Sequence, residues 1–171
     1  MYCHSQSKEA RYLQRRTSNK VSIINSIHLA RVFDSRGNLT VEASVQTQGG
    51  GFGSAIAPSG ASTGEYEAIE LLASDAIAAA NEYALPMLEG KVDSTDQKSI
   101  DSALRSADGT ENFSVIGANS AVAISLANAK AAANFLDVPL YQHIGTSSKW
   151  DSFPIPLGNV IGGGAHAADS T

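Results

Sequence analysis

The sequence is poor in the residues that mark several common classes of protein. Its single cysteine, Cys3, cannot form a disulfide within the chain, and a reducing, cytoplasmic setting is the simplest interpretation. No apolar run approaches the length of a membrane-spanning helix, and the first twenty residues lack the apolar core of a secretory signal. Basic residues are concentrated in that same stretch, so we expect no nucleic-acid-binding surface on the acidic remainder.

Aromatic and charged residues are also scarce, and small apolar residues take their place. Only 6% of the 171 residues are aromatic and 17% are charged, whereas 43% are hydrophobic, much of this share being alanine. This composition supports one packed domain of ordinary size. Because alanine side chains are short, we expect helices that approach their neighbours closely.

Alternating polar and apolar residues predict three strands at the start of the domain. The first spans Ser22 to Phe33, and the turn Asp34 to Asn38 leads into a second strand from Thr40 to Thr47. A glycine turn then leads into a third strand that ends at Pro58. Short turns between successive strands predict an antiparallel meander with one solvent-exposed face. The residues expected on one face of the first strand are Ile23, Ile27, Leu29 and Phe33.

The hydrophobic period changes to that of helices after the third strand. Helices are predicted from Ser74 to Leu88, from the capping residues Asp93 to Asp96 through about Ala107, and from Asn119 to Leu136. The last of these is apolar almost all round, so we expect it in the interior. Strands followed by helices predict an α+β fold, in which a helical bundle covers one face of the meander.

The loop from Ala57 to Gly64, with the sequence APSGASTG, is the strongest candidate for a functional site. Pro58 ends the strand, glycines allow unusual backbone conformations, and hydroxyl groups line the loop at Ser59, Ser62 and Thr63. Such a loop suits closure over a polar ligand or a metal-bound anion. From the residues alone, an ordinary turn from strand to helix is the favoured interpretation, with a serine or threonine as the helix N-cap. The glutamates that follow could begin that helix.

Five stretches in order resemble the amino-terminal domain of enolases, the phosphopyruvate hydratases of glycolysis. They are the loop together with Asp34 to Asn38 (DSRGN), Asp108 to Asn112 (DGTEN), Gly117 to Asn119 (GAN), Val138 to Tyr141 (VPLY), and Asn159 to His166. The resemblance runs from about Ile24 to the last residue. It implies a three-stranded meander with a helical bundle at residues 21–145, after a disordered basic tail at 1–20. Residues 146–171 would be a linker and the first strand of an α/β barrel.

The resemblance implies a lyase that reversibly dehydrates 2-phosphoglycerate to phosphoenolpyruvate with Mg²⁺, in a cytoplasmic homodimer or other homo-oligomer. Ser62 matches the loop residue that binds one magnesium ion, and Gly60, Ala61 and Ser62 would contact the substrate. His166 matches a histidine that lines the active site, contacts substrate and takes part in catalysis. From the residues alone, a solvated histidine in a glycine-rich turn is the favoured interpretation of His166.

The resemblance also places most of the catalytic groups beyond Thr171. The general acid, the main metal-binding carboxylates, the base lysine and the phosphate-binding arginine all match later parts of the family's sequence. We therefore expect a truncated chain that is inactive alone. Two alternatives stay open: a non-catalytic binding or assembly module with the same fold, and a related enzyme with a different substrate. Glu65, Glu67 and Glu70 could form a metal cluster, but their spacing places them on no single face.

Overall fold

The computed structural model describes residues 22–60, 64–145 and 155–158, and in it three strands form one antiparallel sheet. The strands are β1 (Ile24–Phe33), β2 (Leu39–Thr47) and β3 (Phe52–Ile56), in the order β1-β2-β3. Pairs such as Leu29 with Ala43, and Ala43 with Ala55, face the helices and are buried. The predicted meander is confirmed.

Four helices follow the sheet, and the predicted α+β order is confirmed. Helix α1 begins with Ala73–Ala79, continues through a wider π-helical turn at Ala80–Ala84 and ends with Leu85–Leu88. The wide turn comes just before Pro86, which has no amide hydrogen to donate to the helical ladder. The other helices are listed in chain order: α2 (Gln97–Asp108), α3 (Ala118–Leu136) and α4 (Leu140–Ile144).

The predicted buried face of β1 is wrong at both ends of the strand. The pairing between β1 and β2 shifts by one residue between Ile24 and Ser26, so Ile24 is buried in place of Ile23. A bulge of this kind reverses the side-chain alternation beyond it, and a period of two cannot anticipate that. Phe33 has the right parity, but it lies at the end of the sheet and is 70% exposed.

The outer edge of β1 is held by the segment between α1 and α2. The Ile24 amide donates to the Val92 carbonyl (3.0 Å), and the Gly90 amide donates to the Ile24 carbonyl (2.8 Å). Further along, the Ile27 amide donates to Glu89 Oε1 at 2.6 Å. The end of α1 is therefore fixed against the sheet by backbone groups as well as by side-chain packing.

At Gly53, helix α3 lies so close to β3 that no side chain fits between them. A Cβ atom added to Gly53 would be 2.4 Å from both the Ala127 carbonyl oxygen and the Ala131 amide nitrogen. The alanines expected to allow close approach are thus where the helix meets the sheet. The prediction of an interior helix is confirmed along most of α3, although Val122 and Leu126 are about two-fifths exposed, at 42% and 43%.

Two long side chains of α3 reach the backbone of β3. Asn134 Oδ1 accepts a hydrogen bond from the Phe52 amide (3.0 Å), and Lys130 Nζ donates to the Ser54 carbonyl (2.7 Å). These bonds use backbone groups of β3 that do not face β2. They fix the helix in register with the strand.

Aspartates form both ends of α2. Asp96 is the N-cap, and its carboxylate accepts from the Ser99 amide at 3.2 Å and from the Ser99 hydroxyl at 2.7 Å. Asp108 is the last residue, and Gly109 follows it in the left-handed conformation typical of helix ends (φ 68°). Both features agree with the predicted bounds of the helix.

The carboxylate of Asp108 is buried and organises the segment that follows it. It accepts hydrogen bonds from the Val115 amide (2.9 Å), the Ile116 amide (2.8 Å) and the hydroxyl and amide of Thr110. Burial by itself raises the pKa of Asp108, but these hydrogen bonds together outweigh burial, so the pKa lies below its ordinary value. The charged form therefore stabilises the fold.

We predict that Gly53→Ala lowers the free energy of unfolding by about 1–3 kcal/mol, because the added methyl group would collide with the backbone of α3. Urea unfolding followed by circular dichroism measures this. Gly158→Ala is the matched control, since an added Cβ there has no atom within 4 Å. Equal stability of the two variants would contradict the close approach.

We predict that Asp108→Asn weakens the dependence of stability on acid pH. The folded pKa is depressed, so the contribution of Asp108 is complete above its unfolded pKa of about 3.9 and is lost as the pH falls through the folded pKa. The variant should be less stable by about 1–3 kcal/mol at pH 7, and this difference should shrink below about pH 4. Urea unfolding at several pH values between neutral and strongly acid would test it; a difference independent of pH would contradict the assignment.

Candidate functional site

The candidate loop begins where β3 leaves the sheet, and its first residue is held on both sides of the backbone. The Ala57 amide donates to the Val41 carbonyl (3.0 Å), and the buried Thr40 hydroxyl donates to the Ala57 carbonyl (2.8 Å). Pro58 comes next and has no amide to continue the ladder. The end of the sheet is therefore a fixed base from which the loop departs.

The β1–β2 turn lies beside this base and is organised by Asp34. Asp34 Oδ1 accepts hydrogen bonds from the Arg36 amide (2.9 Å) and the Asn38 amide (2.8 Å), while the Asp34 amide donates to the Asn38 carbonyl. Gly37 takes a positive φ of 82°, which its missing side chain allows. The amide of Asn38 is the main cause of a lowered Asp34 pKa, so the carboxylate stays charged.

Ser59 connects this turn to the far side of the loop. Arg36 Nη2 donates to the Ser59 carbonyl at 3.1 Å, across 23 positions of sequence. The Ser59 hydroxyl donates to Glu70 Oε1, also at 3.1 Å. Three separate parts of the chain thus meet at one serine.

The returning limb of the loop is held by backbone pairing with later residues. The Ile69 amide donates to the Asn112 carbonyl (2.7 Å), and the Ala118 amide donates to the Ile69 carbonyl (2.7 Å). Asn119 Nδ2 donates to the Leu71 carbonyl at 2.9 Å. The DGTEN and GAN stretches therefore hold the returning limb of the loop in place. This role was missed at the sequence level, where only the order of the motifs indicated that they belong together.

The glutamates after the loop do not begin a helix, contrary to one expectation from the sequence. Residues 65–67 form a turn, and the first helix begins at Ala73. Ile69 pairs with both ends of the 112–118 segment, at Asn112 and Ala118. This explains the absence of a helix there, because a helix would use the same backbone groups for its own hydrogen bonds.

Of the four predicted site residues, the structure describes only Gly60. Gly60 is exposed at the described edge of the loop, whereas Ala61, Ser62 and His166 lie outside the described residues. Glu65, Glu67 and Glu70 are exposed, and no cluster of three or more His, Cys, Asp or Glu residues suited to a metal occurs in the described ranges. The described residues therefore do not fit a magnesium site by themselves.

A shallow apolar groove of about 320 Å³ lies between α2 and α3. Its apolar lining includes Leu104, Phe113, Val122 and Leu126, and the Arg105 guanidinium lies 5.9 Å from the centre of the Phe113 ring. Val122 and Leu126 of α3 line this groove, and they are the partly exposed apolar residues of that helix noted above. Within residues 22–60, 64–145 and 155–158, no helix is long and apolar enough to cross a membrane.

These features define an α+β domain whose sheet presents a hydroxyl-bearing loop at one end, braced by a turn and by two later motifs. Residues 24–144 match the family model described as the enolase N-terminal domain. The chain belongs to the enolase family. The resemblance inferred from the motifs is thereby confirmed.

Curated proteins named enolase are similar to nearly all of this chain. The enolase of Halorubrum lacusprofundi is 64% identical over 148 residues, which is 86% of this chain and 37% of the relative. Those of Haloarcula marismortui and Natronomonas pharaonis are 62% and 60% identical over 151 residues, 88% of this chain and 38% of each relative. The chain therefore spans well under half the length of these relatives.

Proposed function

We propose that this chain supplies the loop that closes over the active site of an enolase. An enolase is the lyase that reversibly dehydrates 2-phosphoglycerate to phosphoenolpyruvate. The observation that carries this proposal is the match of residues 24–144 to the enolase N-terminal domain, together with identity of about 60% to proteins named enolase. The braced base of the loop at Ala57 and Ser59 is the structural feature that suits it to this task.

Within the proposal, the loop residues act by contact with the substrate. Gly60 and Ala61 let the backbone approach the ligand, and Ser62 offers a hydroxyl and a carbonyl oxygen. His166, which follows three glycines and Ala165, would contact the substrate as a catalytic residue. The site would be complete only when the remaining part of an enolase is present, so we expect the 171-residue chain to be inactive alone.

Magnesium belongs to the proposal, because hard oxygen donors such as those of Ser62 are the ligands that Mg²⁺ prefers. When bound, it would stabilise the charge of the ene-diolate that forms as the proton next to the carboxylate is removed. A neutral hydroxyl is a weak ligand alone. Ser62 would therefore depend on the charge of the substrate and on carboxylates supplied by the rest of the enzyme. A cytoplasmic location and a homodimer or other homo-oligomer are further parts of the proposal.

The proposal is tested by joining this chain to the rest of an enolase. We would replace the matching segment of the Halorubrum lacusprofundi enolase with residues 22–171 of this chain, and follow phosphoenolpyruvate formation by ultraviolet absorbance. The graft should turn over 2-phosphoglycerate with Mg²⁺, and the isolated 171-residue chain should not. Ser62→Ala should lower kcat/KM of the graft by about tenfold or more, because the loop would no longer be positioned on the ligand.

Ser102→Ala is the matched control, since Ser102 is exposed on α2 and lies outside the loop. A folded graft without turnover would contradict the proposed function and favour the non-catalytic binding module. Turnover by the isolated chain would contradict the dependence on the missing part.

A further inference from the structure

Arg36 is distant in sequence from the loop and yet contacts its backbone. The Arg36 guanidinium donates to the Ser59 carbonyl through Nη2, and the same serine donates its hydroxyl to Glu70. Ser59 is the second residue after the last backbone bond to the sheet, at Ala57. Its position therefore sets the direction in which the chain enters the rest of the loop.

The backbone of Arg36 is fixed by the β1–β2 turn, and its side chain is exposed. Its amide donates to Asp34 Oδ1, within a turn closed by Asn38 and by the positive φ of Gly37. A long arginine on a rigid turn loses less freedom on binding than one on a flexible loop. The guanidinium is thus directed at the carbonyl before any ligand arrives.

Glu70 completes the arrangement from the opposite limb. It precedes Leu71, whose carbonyl accepts from Asn119 Nδ2, and it follows Ile69, which pairs with Asn112 and Ala118. Ser59 is therefore held between a cation on the β1–β2 turn and an anion on the returning limb. Substitution of either partner by a residue that has no donor or acceptor would release one side of the serine.

We propose that Arg36 and Glu70 are positioning residues for the loop, acting through the carbonyl and the hydroxyl of Ser59. This inference rests on the proposed function, in which the loop contacts the substrate. The two residues increase the population of the binding-competent loop, so their loss reduces the apparent affinity for substrate by the fraction of that population that is lost. The proton transfer itself uses other groups and is little affected.

The first test uses the 171-residue chain and measures hydrogen exchange of the peptide that contains residues 57–66. Arg36→Met should speed exchange in this peptide by about three- to tenfold, since an exposed hydrogen bond to a charged group is lost. Glu70→Met, which removes the acceptor of the Ser59 hydroxyl, should act in the same direction, and the double variant should be less than additive because both act on Ser59. Arg31→Met is the matched control, since Arg31 is an exposed arginine on β1.

The second test measures kinetics in the graft with the Halorubrum lacusprofundi enolase. Arg36→Met should raise KM for 2-phosphoglycerate by about three- to tenfold and leave kcat within about twofold. Arg36→Lys should restore part of the affinity, because lysine keeps one donor and the charge. A merely structural role would lower kcat and stability together without this separation.

The outcomes separate this inference from the proposed function. Unchanged exchange in both single variants overturns the inference, whatever the graft does. Faster exchange with an unchanged KM in an active graft also overturns it and leaves the proposed function standing. A folded wild-type graft without turnover overturns the proposed function, and with it any role for Arg36 and Glu70 in substrate affinity.

Discussion

The close approach of α3 to the sheet is the constraint on which the other features depend. Gly53 and the alanines of α3 allow the backbone of the helix to lie against the backbone of β3, where even one methyl group would collide. Contacts at such short range fix both the distance and the register of the helix. The residues at and just before the start of α3 then have defined positions. There the Asn112 carbonyl accepts from the Ile69 amide, and the Ala118 amide donates to the Ile69 carbonyl. Because α3 is held against the sheet, the segments bonded to Ile69 in turn hold the loop in place.

The larger elements of this fold are predictable from the sequence because local patterns encode them. Alternation predicted the strands, helical spacing predicted α1 to α3, and Asp96 and Gly109 marked the ends of α2. The face of β1 was mistaken at Ile23, because a single-residue shift in pairing is set by the neighbouring chain. The turn at residues 65–67 was taken for a possible helix start, since the backbone partners of Ile69, which follows it, lie more than forty positions later.

The candidate site was less predictable for the same reason. Its hydroxyls and glycines could be recognised, but the contacts of Ser59 join residues 23 and 11 positions away, and no periodicity reports them. Glu70 is one of the three glutamates whose spacing argued against a metal cluster, and in the structure it accepts a hydrogen bond from Ser59, a contact that the spacing did not indicate. Asp34, Asp96 and Asp108 similarly accept hydrogen bonds from nearby residues, and each has a lowered pKa. These three aspartates therefore serve to hold turns and helix ends.

The bonds from Lys130 and Asn134 to β3 have a consequence for how the sheet could associate. An outer strand with unpaired backbone groups is a template for another chain, and pairing of such edges leads to aggregation. Here a helix supplies the donor and the acceptor that a fourth strand would otherwise offer to Ser54 and Phe52. A strand added on that side would have to displace α3. In the described part of the chain, the half of β1 from Leu29 to Phe33 is thus the edge at which the sheet could grow.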